Sequence, residues 1–243
     1  MSEVINDNLV LICGESTTGK SASLRNIPNP EGVMYLNCES GKKLPFRAKF
    51  GYNCTITNPY DVLTAFDEAE AMADVHTIIV DSLSFLLEMF ESVYVIPAVD
   101  GRSAWALFQQ FFKSLMQEKV AKSTKTVIMT AHVLALYNEA NQTIEVKVPV
   151  KGALKNIGIE AYFSCIVSCK RIPLKDLEGY GSPLLNITDE EQLVGFKHVF
   201  QTKLTKKTCS ERIRSSLGMW ETSETFIDND VGLVLARLHE YYQ

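Results

Sequence analysis

The chain has 243 residues, 46% of them hydrophobic and 22% charged, with a formal net charge of −5. That apolar content suits one large core and excludes a disordered chain, and the negative balance excludes a surface coated in basic residues, so any nucleic-acid contact must be a local groove. No run reaches the roughly 18 uninterrupted apolar residues of a membrane helix, and Met1 to Asn8 is too polar and acidic for a signal peptide, so we expect a single domain over residues 1–243, cytoplasmic and without a membrane partner.

Asn8 to Cys13 (NLVLIC) is a short apolar run that predicts a strand. It enters the segment Gly14-Glu15-Ser16-Thr17-Thr18-Gly19-Lys20-Ser21, and Lys20 to Asn26 reads as the opening of a helix. The spacing GxxxxGK[ST] in this strand, loop and helix context lets successive backbone N–H groups converge on an anion. Lys20 is then placed to reach the β- and γ-phosphates of a nucleotide and the Ser21 hydroxyl to ligate Mg²⁺, so the expected ligands are ATP and Mg²⁺. Gly32 to Cys38 (GVMYLNC) predicts a second buried strand, closed by Glu39-Ser40-Gly41. Glu39 at its tip is the candidate to orient or deprotonate the attacking water, the alternative being a cap on that turn.

Asp61 to Ala73 has the spacing of an amphipathic helix. His76 to Asp81 (HTIIVD) predicts a third strand, whose terminal Asp81 belongs either to the Mg²⁺ site or to the cap of the next helix. Ser103 to Val120 carries an apolar stripe that includes Trp105, Phe108, Phe111, Phe112 and Leu115, which we read as core. Thr126 to Ala131 (TVIMTA) is the fourth strand. Beyond it, Thr143 to Val150, Ala161 to Cys169 and Lys197 to Leu204 are strand-like without intervening helices, and Asp228 to Tyr242 closes as a helix capped at Asp228 or Asn229. Pro149 makes the first of these an edge strand or hairpin arm. The fold class is α/β: a mainly parallel sheet with helices on both faces and antiparallel strands added in the C-terminal half. Six cysteines include no CxxC pair and sit mostly in apolar runs, where a reduced thiol is a small hydrophobe rather than a metal or disulfide partner.

This order of phosphate loop, strand ending at Glu39, strand ending at Asp81, and TVIMTA followed by His132 resembles the RecA/Rad-recombinase core. The first strand begins at about residue 8, which leaves no room for an N-terminal oligomerisation domain, and in this the chain is similar to the minimal phage single-strand annealing ATPases of the Sak type. The resemblance implies a RecA-like P-loop ATPase core over nearly the whole chain. Phe46, seven residues after Glu39, takes the place of an aromatic that packs against adenine. His132 takes that of a polar γ-phosphate sensor, where the family commonly has Gln. Leu136 to Leu154 corresponds to the second DNA-binding loop, and Lys197 to Arg214 to a late strand whose lysines reach the neighbouring subunit's ATP, which points to Lys206 and Lys207, with Lys203 beside them. The implied function is an ATP-dependent single-stranded-DNA-binding recombination protein of annealing type, a ring or filament of identical subunits in the host cytoplasm if phage-encoded, with a single-strand-binding protein as a further partner.

Lys147, Lys151 and Lys155, spaced four apart, with Tyr137 as a stacking group and Arg102 in an earlier loop, are the candidate DNA contacts; a solvated charged edge strand is the alternative. An isoelectric point near 5.5 favours a second reading, a nucleotide-switched loader or assembly ATPase acting on a protein partner. A small-molecule phosphotransferase is a third, without a lid or acceptor-pocket signature to support it.

Overall fold

A computed structural model describes residues 6–139 and 142–242. Met1 to Ile5 of the segment weighed as a signal peptide, and Ala140 and Asn141 of the expected second DNA-binding loop, lie outside the described residues.

The chain runs β1 (Leu9–Gly14), β2 (Val33–Asn37), β3 (Tyr52–Thr55), α1 (Asp61–Ala71), β4 (Thr77–Asp81), α2 (Leu83–Phe90), α3 (Gly101–Lys113), β5 (Thr126–His132), and the hairpin of β6 (Leu134–Asn138) and β7 (Thr143–Lys147). The C-terminal part adds α4 (Leu154–Ile157), β8 (Cys165–Pro173), α5 (Leu174–Leu177), α6 (Asp189–Val194), β9 (Phe196–Gln201), β10 (Phe226–Asp228) and α7 (Val231–Tyr242). Among the described residues eight strands form one sheet in the order β10-β9-β8-β1-β5-β4-β2-β3. From β8 to β3 every pairing is parallel, and β9 and β10 continue the sheet antiparallel. This is the mainly parallel α/β sheet of a P-loop NTPase core.

Every residue of β1, β2 and β4 is buried, which is why these strands read as unbroken apolar runs rather than alternating ones. Along β1, Leu9, Leu11 and Cys13 face a layer built with α1, α2 and α3, through Phe66, Leu86, Phe90 and Phe112 among others. Val10 and Ile12 face the opposite layer, where Leu24, Trp220, Val231, Val234 and Leu238 cover the sheet. Period-two alternation on the strands thus meets the helical periodicity of α1, α3 and α7 on opposite sides.

Several sequence expectations need correction. The helix expected from Lys20 is a short 3₁₀ segment, Ser21–Asn26, because Ile27 precedes Pro28 and takes an extended ψ of 128°. The strand expected at Ala161–Cys169 begins at Cys165 and lies parallel to β1, not antiparallel. Thr143–Lys147 does not extend the main sheet but pairs with β6 in a separate two-stranded ribbon. Asp228 ends β10 instead of capping the last helix, which starts at Val231. The expected helix at Ser103–Val120 starts two residues early, where Asp100 accepts the N–H groups of Arg102 and Ser103, and its last turns, Ser114–Val120, are π-helical. No helix among the described residues is long and apolar enough to cross a membrane.

Candidate active site

The site lies where parallel strands end. In the strand register Gly14 of β1 sits opposite His132 of β5, and Asn37 of β2 opposite Asp81 of β4, so four strand ends converge above one edge of the sheet. The loop after β1 closes tightly: Thr17 and Gly19 have φ of 65° and 100°, and a Cβ on Gly14 would come within 2.6 Å of Thr18 Oγ1 and 2.7 Å of the Cys169 carbonyl oxygen. Glycine at position 14 is therefore a steric requirement.

Lys20 is buried and folded back over the loop. Its ammonium donates to the carbonyl oxygens of Gly14 at 3.0 Å and Glu15 at 2.8 Å, and lies 3.3 Å from His132 Nδ1. Burial pulls its pKa below the ordinary lysine value. The other ring nitrogen, His132 Nε2, is 3.7 Å from Glu39 Oε1 and is buried without a hydrogen-bond partner among the described residues. Lys20, His132 and Glu39 thus form a line across the cleft, with His132 held at its backbone by a hydrogen bond from its N–H to Ser84 Oγ.

Glu39 Oε2 accepts from Lys42 Nζ at 2.7 Å. The nearby His132 first, against the opposing effect of burial, and then Lys42 lower the Glu39 pKa from 4.5 to about 2. At 3.7 Å the His132 contact is longer than a hydrogen bond, so Lys42 is the direct partner and His132 acts across a short gap. The carboxylate is ionised at neutral pH but weakly basic, which suits orienting a water better than stripping its proton. Asp81 is 2% exposed. Tyr35 Oη donates to its Oδ2 at 2.9 Å, and Thr130 Oγ1 donates to its Oδ1. Burial and the neighbouring Asp81 push the Tyr35 phenol well above its ordinary pKa, so it stays a donor.

These groups line a cleft of about 740 Å³ with Ser21 and the segment Lys42–Pro45, a size common for small-molecule sites. The structure brings Ser16, Thr17, Gly19, Lys20 and Ser21 of the phosphate loop together with Glu39, Asp81 and His132, while Gly14, Glu15 and Thr18 line a recess on the other side of the loop. It does not bring Phe46 to them: Leu44 and Pro45 line the cleft, whereas Phe46 faces a neighbouring recess and packs edge-on against Phe50 at 6.1 Å. Lys203 donates to the Trp220 carbonyl, Lys206 is exposed, and Lys207 lies 3.8 Å from Asp176; none lines the cleft.

The expected DNA contacts separate into groups. Lys147 and Lys155 share a recess of about 360 Å³ with Arg212 and Arg214. Lys151 instead pairs with Glu91 at 2.7 Å, and Lys147 also meets Glu145 at 3.3 Å. Tyr137 projects from the hairpin, 64% exposed, and Arg102 is exposed in the first turn of α3.

Residues 6–171 match a protein-family model described as an AAA domain. The chain belongs to that family. No curated protein matches it. The AAA domain is a P-loop ATPase domain, which points to nucleotide binding and hydrolysis, with Mg²⁺ the usual companion of the nucleotide. The match does not extend to the recombinase or annealing resemblance. It covers β1 to β7 and most of β8, and leaves the remainder of the described chain outside.

Sequence reasoning missed Tyr35 and Thr130, which bind Asp81, and the C-terminal residues Lys197, His198 and Asn229 that complete the AAA domain's cleft. The first two carried a signal, a hydroxyl inside an otherwise apolar run just before the strand end. The others carried none, because their place depends on β9 and β10 returning beside β8.

The donor set fits a magnesium nucleotide. Among the described residues no group of three or more His, Cys, Asp or Glu side chains is placed to hold a metal by itself, and Mg²⁺ prefers one or two protein oxygens with waters and phosphates. Ser21 and Asp81, which both line the cleft, are the residues that would hold it.

Proposed function

We propose that the AAA domain binds Mg-ATP between the phosphate loop and the Glu39–His132 pair, hydrolyses it, and uses the cycle to control single-stranded-DNA binding by the β6–β7 hairpin and the basic recess beside it, in a homo-oligomeric strand-annealing protein. The observation that carries this reading is His132. Its Nε2 is buried without a hydrogen-bond partner among the described residues, in line with Lys20 and Glu39, and Leu134, two residues on, opens the hairpin. A change in what His132 binds is therefore transmitted over two residues to the hairpin. Val133 in between is tied by its N–H to the Gly14 carbonyl.

In this reading the loop N–H groups and Lys20 hold the phosphates, and His132 reports the terminal one. Glu39 orients the attacking water while Lys42 keeps it ionised. Bound Mg²⁺ would neutralise charge on the phosphate oxygens. Lys206 and Lys207, exposed and outside their own cleft, are offered to a neighbouring subunit. Asp81→Asn is expected to raise the Mg²⁺ concentration needed for half-maximal ATP hydrolysis by about tenfold or more, because one formal charge leaves the metal shell; an unchanged Mg²⁺ titration would remove Asp81 from that role.

The test of the DNA reading is ATPase rate with and without single-stranded DNA, together with DNA affinity across salt. Four basic side chains in the recess, at about 0.7 in log–log slope per neutralised phosphate, give an expected slope of about −2 to −3. Rate and affinity indifferent to DNA would leave the second reading, a loader acting on a protein. One observation favours that alternative: Leu134, Leu136, Tyr137 and Ile144 of the hairpin are 45–64% exposed, more apolar surface than a nucleic-acid contact requires.

A further inference from the structure

The two ends of the cleft differ in chemistry. Lys20, His132, Glu39 and Asp81 gather at the end where β5, β4 and β2 finish. The other flank of the phosphate loop, Gly19 to Arg25, meets a wall from residues 186–198 and 228–229, all outside the stretch matched to the AAA domain. This wall is docked directly on the loop. Asn229 Nδ2 donates to the Gly19 carbonyl at 3.0 Å, and Arg25 Nη1 donates to the Asn229 carbonyl at 2.8 Å. A Cβ on Gly19 would come within 2.6 Å of Asn229 Nδ2 and 3.4 Å of His198 Cδ2.

Lys197 holds the wall in place. Its side chain is 6% exposed, and its ammonium donates to Glu191 at 2.7 and 3.0 Å and lies 3.1 Å from Asp228. Glu191 belongs to α6, a helix with no buried residue, whose Leu193 and Val194 are 88% and 51% exposed. Asn186, just before it, binds Asp228 through its N–H at 3.0 Å and Nδ2 at 3.2 Å. With so little apolar seat, this segment is positioned by polar bonds that converge on Lys197 and Asp228. Burying a charge among two carboxylates contributes little net stability, but it fixes geometry at a cleft wall.

The wall's chemistry is wrong for phosphate and right for a nucleoside. Lys197 is neutralised by its partners, Glu191 and Asp228 are acidic, and the His198 imidazole, the Thr188 hydroxyl and the Asn186 amide oxygen line the cleft as groups that hydrogen-bond base edges and ribose hydroxyls, while the amide N–H groups of Asn186 and Asn229 are engaged by Asp228 and Gly19. We infer that this wall is the nucleoside subsite of the cleft, taking the base and ribose of a nucleoside triphosphate, and that Lys197 is its positioning residue. The inference rests on the nucleotide reading of the cleft and moves the base-binding role away from Phe46, which faces elsewhere.

The experiment compares calorimetric binding of Mg-ATP and Mg-tripolyphosphate, which shares the phosphates but has no nucleoside. Lys197→Met and Glu191→Gln are each expected to weaken ATP by at least about tenfold while tripolyphosphate changes by less than about twofold, with Lys197→Arg recovering part of the loss. Glu191 is on a surface helix, so its variant tests the inference even if Lys197→Met fails to fold. Equal weakening of both ligands, or no change in either, would overturn the nucleoside subsite and leave the nucleotide reading standing. Wild-type protein that binds neither ligand would overturn both.

Discussion

Lys20→Ala is expected to lose nucleotide-dependent turnover by at least about 10²–10³-fold, since in the proposed reading Lys20 is the loop's cation for the phosphates and such donors act on developing charge in a partly water-excluded site. The structure adds a condition. Lys20 is 7% exposed and bonds two loop carbonyls, so its removal also loosens the loop, at a cost of about 1–3 kcal/mol for lost charge-assisted hydrogen bonds. Measuring turnover beside a thermal melt separates the two effects. A folded variant with undiminished turnover would sink the assignment of the loop.

Glu39→Gln is expected to keep ATP binding but slow hydrolysis by about 10²-fold or more. Binding and turnover falling together would make Glu39 a structural residue instead. The same variant has a signature in acid. Because the folded pKa of Glu39 is lowered from 4.5 to about 2, its ionised form stabilises the fold fully above pH 4.5, and that contribution is lost as pH falls toward 2. Glu39→Gln should therefore lose stability less steeply than wild type between those values, as urea midpoints taken over this range would show. An unchanged slope would mean that Lys42 and His132 do not hold the carboxylate in solution.

The central strands and the phosphate loop were legible because their causes are local. Doubly buried strands read as apolar runs, and GxxxxGK[ST] fixes a backbone shape over eight residues. Asp81 and Glu39 were legible as carboxylates at strand ends. The outer half of the site was not. Lys197 reads as a surface lysine in a strand until Glu191 and Asp228 are brought to it, and Asn229 reads as a helix cap until it is found on Gly19. The basic spacing of Lys147, Lys151 and Lys155 misled in another way, since a regular interval in sequence does not survive the passage from strand to loop to α4. Lys151 ends on Glu91 while its neighbours share a recess.

The bond between Asn229 and Gly19 spans 210 positions of the chain, and β1 lies between β5 and β8, the second of which begins only at Cys165. During synthesis on a ribosome the phosphate loop therefore emerges 210 residues ahead of the Asn229 that supports it. Such long-range closure makes folding slow and leaves central strand edges unpaired in the meantime. A nascent chain halted before Asn229 would carry the complete loop motif and yet lack the contact that sets Gly19, so competence to hold nucleotide is expected to arrive only once Asn229 has docked, not with the loop motif alone.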